Sequence, residues 1–334
     1  MNKKRTISLL IGIGALLLIS IPLVISLNRP EAAVFAPCVP QGETTSAVPE
    51  SKDSQKDDIF ELFNQNTQQS FSLPGKELVT ISLLCEMDPS APGEALKAQA
   101  VACYTLFSRM RLNRETIPCN PEEWLTWTDA EHITAKFGGQ AEEVVGRVRE
   151  QVESVYGQCL CQDGRPILSL YSAVNTGITA SSSAVLGVAL PYLVPVASPG
   201  DRLSPDLQFE KTMSVEEVRK ALQEWAVGKQ PVFDVDQTRW IVIDARETGG
   251  YVSRATLGGI PCSGEVARQV LGLRSSAFDA EATEAGFHFT GRGWGTGLGM
   301  SQAGAISMAE QGASYGEILA WYYPGTNLIE AQRN

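Results

Sequence analysis

Between residues 291 and 299 every second residue is glycine, in Gly291-Arg292-Gly293-Trp294-Gly295-Thr296-Gly297-Leu298-Gly299. Met300-Ser301-Gln302 then opens a stretch with helical character. Alternate glycines remove every second side chain, so this backbone is free to take positive φ or to lie close against another surface. Trp294 stands among them as a large amphipathic face. Two readings are open: a segment that lines a site, or a tight β-structure that only packs.

The 334 residues are 43% hydrophobic and 19% charged, ordinary for a globular chain of one large or two moderate domains. Lys3, Lys4 and Arg5 are the only charged side chains before residue 29, so the remainder carries 24 basic against 38 acidic residues. That balance argues against a nucleic-acid partner, which would need a basic surface. Seven cysteines leave at least one unpaired within a monomer. Their spacing matches no zinc pattern, with only His132 and His288 to help, so neither metal nor cofactor is expected. Cys85 and Cys103 lie in apolar surroundings and read as small core residues.

Ile7 to Asn28 is an almost unbroken apolar run behind the basic cluster. It is long enough to span a bilayer and longer than a signal-peptide core. Its basic flank belongs in the cytoplasm, which puts the rest of the chain outside. The alternative is a cleaved signal ending near Ala32, Ala33 and Ala36. Residues 29–75, rich in Pro, Ser, Gln, Thr and acids, read as a flexible tether, with periodicity only around Ile59–Phe63.

Leu78–Leu84 has strand character and runs into Cys85-Glu86-Met87-Asp88-Pro89. Ser90, Pro92 and Glu94 then mark the start of a helix to about Met110. Glu86 is therefore expected between a strand and a long Ala-rich helix. There its carboxyl either faces a cleft or accepts from nearby backbone amides. Val144, Val148, Val152 and Val155 predict an amphipathic helix over 141–155. Pro166–Tyr171 reads as a strand. Ser214 with Glu217 predicts a capping box for a helix to about Val227. Residues 240–244 and 251–257 predict a hairpin around Gly249-Gly250, followed by a short helix over 263–271. Ala303–Gln311 and Tyr315–Tyr322 read as two helices separated by Gly312. The fold class is α+β, with mixed helices and mostly antiparallel strands, because the strands are too short and scattered for a doubly wound sheet.

Three blocks of this chain resemble the SpoIID/LytB family, named for stage II sporulation protein D. The first is Cys85-Glu86-Met87 with Glu94-Ala95-Leu96-Lys97-Ala98-Gln99-Ala100-Val101-Ala102. The second is Leu190-Pro191-Tyr192-Leu193 with Val196-Ala197-Ser198. The third is Gly291–Ala305 with Ile318-Leu319-Ala320-Trp321-Tyr322-Tyr323-Pro324-Gly325-Thr326. Leu271–Ser276 adds a shorter match, and the blocks span about residues 76–330 in the family's order.

The resemblance implies a two-lobed domain with a cleft, lobe 1 about 76–180 plus 285–330 and lobe 2 about 181–284. It implies a membrane-anchored lytic transglycosylase that cuts peptidoglycan glycan strands during engulfment. Its partners would be an amidase or endopeptidase that removes stem peptides, with membrane proteins of the same complex. The family's catalytic acid maps onto Glu86. Tyr104, Ser172, Asn175, Thr179, Arg292, Trp294, Thr296, Ser301 and Gln302 are the candidate sugar contacts. With Glu86, the glycine run becomes the expected opposite wall of the cleft. For Trp294 and Ser301 a core anchor and a helix cap remain open alternatives.

One carboxylate suffices for such chemistry. The sugar's own 6-hydroxyl replaces water, so a single Glu can protonate the leaving oxygen and then accept the hydroxyl proton. Three polar positions depart from the family pattern. Tyr104 stands where Arg is common, Ser172 where His is common, and Thr296 where the glycine run normally carries His. A second function is therefore carried alongside the first: a non-catalytic glycan-binding scaffold or activator of another wall hydrolase.

Overall fold

The computed structural model describes residues 58–330. The anchor expected at 1–28 and the first part of the tether, 29–57, lie outside the described residues. Among the described residues no helix is long and apolar enough to cross a membrane.

The described stretch of the chain begins with β1 (Ile59–Asn64), β2 (Gln69–Pro74), α1 (Gly75–Glu86), α2 (Gly93–Leu112), β3 (Ile117–Cys119), α3 (Ala130–Phe137) and α4 (Ala141–Val155). It continues β4 (Gln158–Gln162), β5 (Arg165–Pro166), β6 (Tyr171–Ser172), α5 (Ser182–Leu186), β7 (Gln208–Met213), α6 (Val215–Trp225), β8 (Ile241–Arg246), β9 (Val252–Leu257) and β10 (Ile260–Ser263). It ends α7 (Gly264–Val270), β11 (Phe278–Thr283), β12 (Gly286–Arg292), β13 (Met300–Ser301), α8 (Gln302–Glu310), α9 (Tyr315–Tyr322) and β14 (Asn327–Glu330). The sheets are small and mostly antiparallel, with β1–β3 and β6–β13 the parallel pairs, so the class is α+β.

Two compact units divide the described chain: residues 58–89 with 110–156, and residues 90–109 with 157–330. This is not the division into 76–180 plus 285–330 and 181–284. Strand β12 pairs with β7 from Phe287↔Met213 to Arg292↔Gln208, which joins 285–330 to 181–284 in one sheet.

In the first unit, the end of the expected tether is an antiparallel hairpin, β1 against β2, with Phe60 and Leu62 buried. Alternation at Phe60 and Leu62 is the signal; the polar residues between hide it at the level of composition. The expected strand 78–84 is instead the middle of α1. Pro74 caps its start, and Thr80 Oγ1 donates back to the Lys76 carbonyl at 2.7 Å. Leu78, Val79, Leu83 and Leu84 are all buried, so nearly every side of the helix is apolar and its period is erased. Such a short apolar run reads equally as a buried strand. Helix α4 covers Ala141–Val155 and buries Val148, Val152 and Val155 at helical spacing.

In the second unit, a core of Phe209, Val218, Leu222, Trp240, Leu257, Phe278, Phe287 and Phe289 lies among β7, β11, β12, α6 and the β8–β9 hairpin. Helix α6 starts in a full capping box, with Ser214 and Glu217 bonded reciprocally. Ser214→Ala should lower stability by about 1 kcal/mol in urea denaturation. An unchanged midpoint would mean that the cap is redundant there. The expected strand 166–171 is irregular, flanked by β5 and β6, because its apolar residues Ile167, Leu168 and Leu170 bury themselves without a ladder.

Candidate functional site

Glu86 is the last residue of α1, and Met87 leaves the helix in extended conformation. The Met87 amide closes the final turn onto the Leu83 carbonyl at 2.9 Å. One turn earlier, Ser82 Oγ donates to the Thr126 carbonyl at 2.6 Å, tying the loop 120–128 to the helix. The Glu86 carboxyl is part-buried and has neither a hydrogen bond nor an ion pair among the described residues. Desolvation by burial pushes it up to about 8. The carbonyl-rich end of α1 acts in the same direction, because a helix C-terminus disfavours negative charge. Glu86 is thus an acid that keeps its proton at neutral pH, not a carboxylate held by backbone amides.

The raised value makes stability depend on pH. Above the ordinary carboxylate value near 4.5 the unfolded chain loses the proton while the folded chain keeps it until about 8. The folded state then binds more protons, so stability falls as pH rises through that window. Glu86→Gln should match wild type near pH 4 and melt several degrees higher near pH 8. Parallel melting curves at all pH values would rule out the raised acid.

The other candidates belong to the second unit. Gly293, Gly295, Gly297 and Gly299 all have positive φ, and residues 295–300 are buried. A Cβ on Gly297 would meet the Tyr251 ring at 2.5 Å, and one on Gly299 the Leu170 carbonyl oxygen at 1.8 Å. The run is therefore packed closely against its neighbours. Glycine there lets two backbones touch.

That packing occupies most of the expected sugar contacts. Ser172 Oγ accepts from the Gly297 amide at 3.0 Å, and Thr296 Oγ1 from the Leu298 amide at 3.3 Å. Thr179 Oγ1 donates to the Val194 carbonyl and accepts from the Val196 amide. Ser301 Oγ accepts from the Gly304 amide as the cap of α8 and donates to Asp201. Tyr104 and Gln302 are buried. Asn175 is fully buried, with neither side-chain atom hydrogen-bonded. Ser172, Thr179, Thr296 and Ser301 thus engage backbone groups or Asp201, and Tyr104, Asn175 and Gln302 lie buried.

Only Arg292 and Trp294 keep useful surface. Arg292 is exposed, at a groove of about 440 Å³ that it lines with Gln208, Glu210 and Thr290. Trp294 is part-buried, with the Arg274 guanidinium 3.9 Å from its ring centre. Arg274 also pairs with Asp206 at 3.2 Å.

Sequence reasoning missed Asp201, which is fully buried beside this network. Desolvation raises its carboxyl, opposed by the Ser301 hydroxyl that donates to it. Its signal was available in Pro199-Gly200-Asp201, directly after the second matching block. Cys85 and Cys103 are buried. Among the described residues no group of three or more His, Cys, Asp or Glu is arranged to hold a metal ion.

No family model matches the chain. It is 29% identical over 297 residues to stage II sporulation protein D of Bacillus amyloliquefaciens, covering 86% of this chain and 83% of that protein. It is 28% identical over 281 residues to stage II sporulation protein D of Bacillus subtilis, covering 82% and 78%. It is also similar to the amidase enhancer of Bacillus subtilis, 26% identical over 294 residues, which covers 73% of this chain and 39% of that protein. Motif order and two relatives matched over most of their length agree: the chain is similar, across most of its own length, to stage II sporulation protein D.

Proposed function

We propose that this protein is a lytic transglycosylase that cuts peptidoglycan glycan strands in the wall remodelling of sporulation, with Glu86 as general acid and base. The observation that carries the reading is the partnerless Glu86 carboxyl, raised by desolvation to about 8. In the first step Glu86 gives its proton to the glycosidic oxygen as the C1–O bond breaks. In the second the 6-hydroxyl of the same sugar bonds to C1, and its proton passes to the Glu86 carboxylate. The product is a 1,6-anhydro end, no water is consumed and Glu86 is restored. The intramolecular nucleophile needs positioning more than activation, which suits a site with one carboxylate. The apolar run at 7–28 would hold the chain in the cell membrane, with the described residues outside.

One observation favours a second reading. Ser172 and Thr296, which stand where the family pattern carries His, have their hydroxyls on backbone amides. Neither supplies a cation, and a lost preorganised donor costs about 2.7–4 kcal/mol in barrier. With a relative named as an amidase enhancer, this supports a glycan-binding activator of a partner amidase.

The full chain in detergent, incubated with purified glycan strands, separates the two. Mass spectrometry should find 1,6-anhydro ends. Strands bound but uncut would sink the transglycosylase reading and leave the activator.

A further inference from the structure

Lys136 ends its helix α3 beside a strained loop. Trp124 and Thr126 in that loop have φ of 55° and 62°, although neither is glycine. Non-glycine residues in this region are held there by their surroundings, and they gather at functional sites. The Lys136 ammonium lies over the Trp124 ring, 3.9 Å from its centre, and 5.2 Å from that of Phe137. Trp124 and Phe137 meet edge to face at 6.2 Å. The loop is fixed to α1 by the Ser82–Thr126 bond, one turn before Glu86.

Lys136 has no carboxylate within ion-pair distance among the described residues. The residue is exposed overall, yet its ammonium end is desolvated, which lowers its proton affinity. Cys85 and Asp88 act on it electrostatically from either side of Glu86 in the sequence. Asp88 is the carboxylate that acts on it, without coming within ion-pair distance. A cation on an aromatic platform, partly stripped of water and without a counter-ion, is poised to receive an anion.

We propose that Lys136, seated on Trp124, is a carboxylate-binding anchor for the glycan strand beside Glu86. This rests on the transglycosylase reading for the identity of the ligand. A wall glycan offers two carboxylates: the sugar's own lactyl acid, free where the stem peptide has been removed, and the acids of the peptide where it has not. A carboxylate held by the Lys136 ammonium would keep the strand in register with the acid.

The test is binding, measured with the full chain in detergent in the Glu86→Gln background so that nothing is turned over. Three probes are titrated: peptide-free strand fragments, the same fragments with the lactyl carboxylate amidated, and fragments carrying stem peptides. Lys136→Gln should weaken the carboxylate probe about tenfold, as loss of a hydrogen bond to a charged group does. It should leave the amidated probe nearly unchanged, and Lys136→Arg should restore most of the affinity. Lys136-dependent binding of the peptide-bearing fragments alone supports the anion site and assigns the carboxylate to the peptide. Equal losses on free and amidated fragments, no loss, or no binding of any probe overturns it. Because the readout needs no catalysis, Lys136-dependent binding here, together with no anhydro products from the wild-type chain, would reject the enzyme reading and keep the anchor.

Discussion

Glu86→Gln should reduce formation of 1,6-anhydro ends by about a thousandfold or more, the range expected when a general acid and base is removed. Gln matches Glu in shape and hydrogen-bonding reach but has no proton to give, so the loss reports chemistry and not packing. Among the described residues Glu86 has no ion pair or hydrogen bond to lose, and the variant should therefore remain folded. Wild-type kcat/KM should hold through neutral pH and decline only above about 8, where the acid finally ionises. That profile differs from an unperturbed carboxylate, whose acid limb would already be lost below pH 6. Glu86→Asp withdraws the carboxyl by one methylene and should also be severely impaired, since positioning is half of the mechanism. Activity within tenfold of wild type in Glu86→Gln would remove Glu86 from the reaction, whatever its titration.

The sequence made some of this legible and concealed the rest for physical reasons. Helix α4 and the capping box of α6 could be read because one face is buried and the other is wet, so periodicity survives. Helix α1 could not, because Leu78, Val79, Leu83 and Leu84 bury several of its sides and erase the period. The candidate acid was legible as a motif position. Its lack of partners was not, since a carboxyl at a helix end can accept amides or stand alone depending on which end it occupies. Ser172, Thr179 and Ser301 were legible only as positions in the family pattern, and such a pattern does not tell whether a hydroxyl faces solvent or its own backbone. Lys136 left no sequence signal at all, because its meaning depends on Trp124 brought beneath it by a loop in positive φ.

The glycine run offers the sharpest test of packing. Gly299→Ala should cost at least about 3 kcal/mol, because two penalties coincide there. Its φ is 64°, which an L side chain rarely adopts, and its Cβ would lie 1.8 Å from the Leu170 carbonyl oxygen. That oxygen also accepts from the Tyr323 hydroxyl at 2.7 Å and from the Met300 amide at 3.2 Å. Relief by moving Leu170 would therefore break bonds that hold β6 against β13 and the end of α9. Gly312 separates the two terms. Its φ is 93°, yet nothing lies within 4 Å of a Cβ placed on it. Gly312→Ala should thus pay only the conformational term, about 1–2 kcal/mol. Thermal melts should place Gly299→Ala well below Gly312→Ala, by several degrees for a domain of this size. Equal melting points would mean that positive φ alone demands these glycines. A clear gap would mean that the most distinctive segment of the chain is spelled by backbone contact.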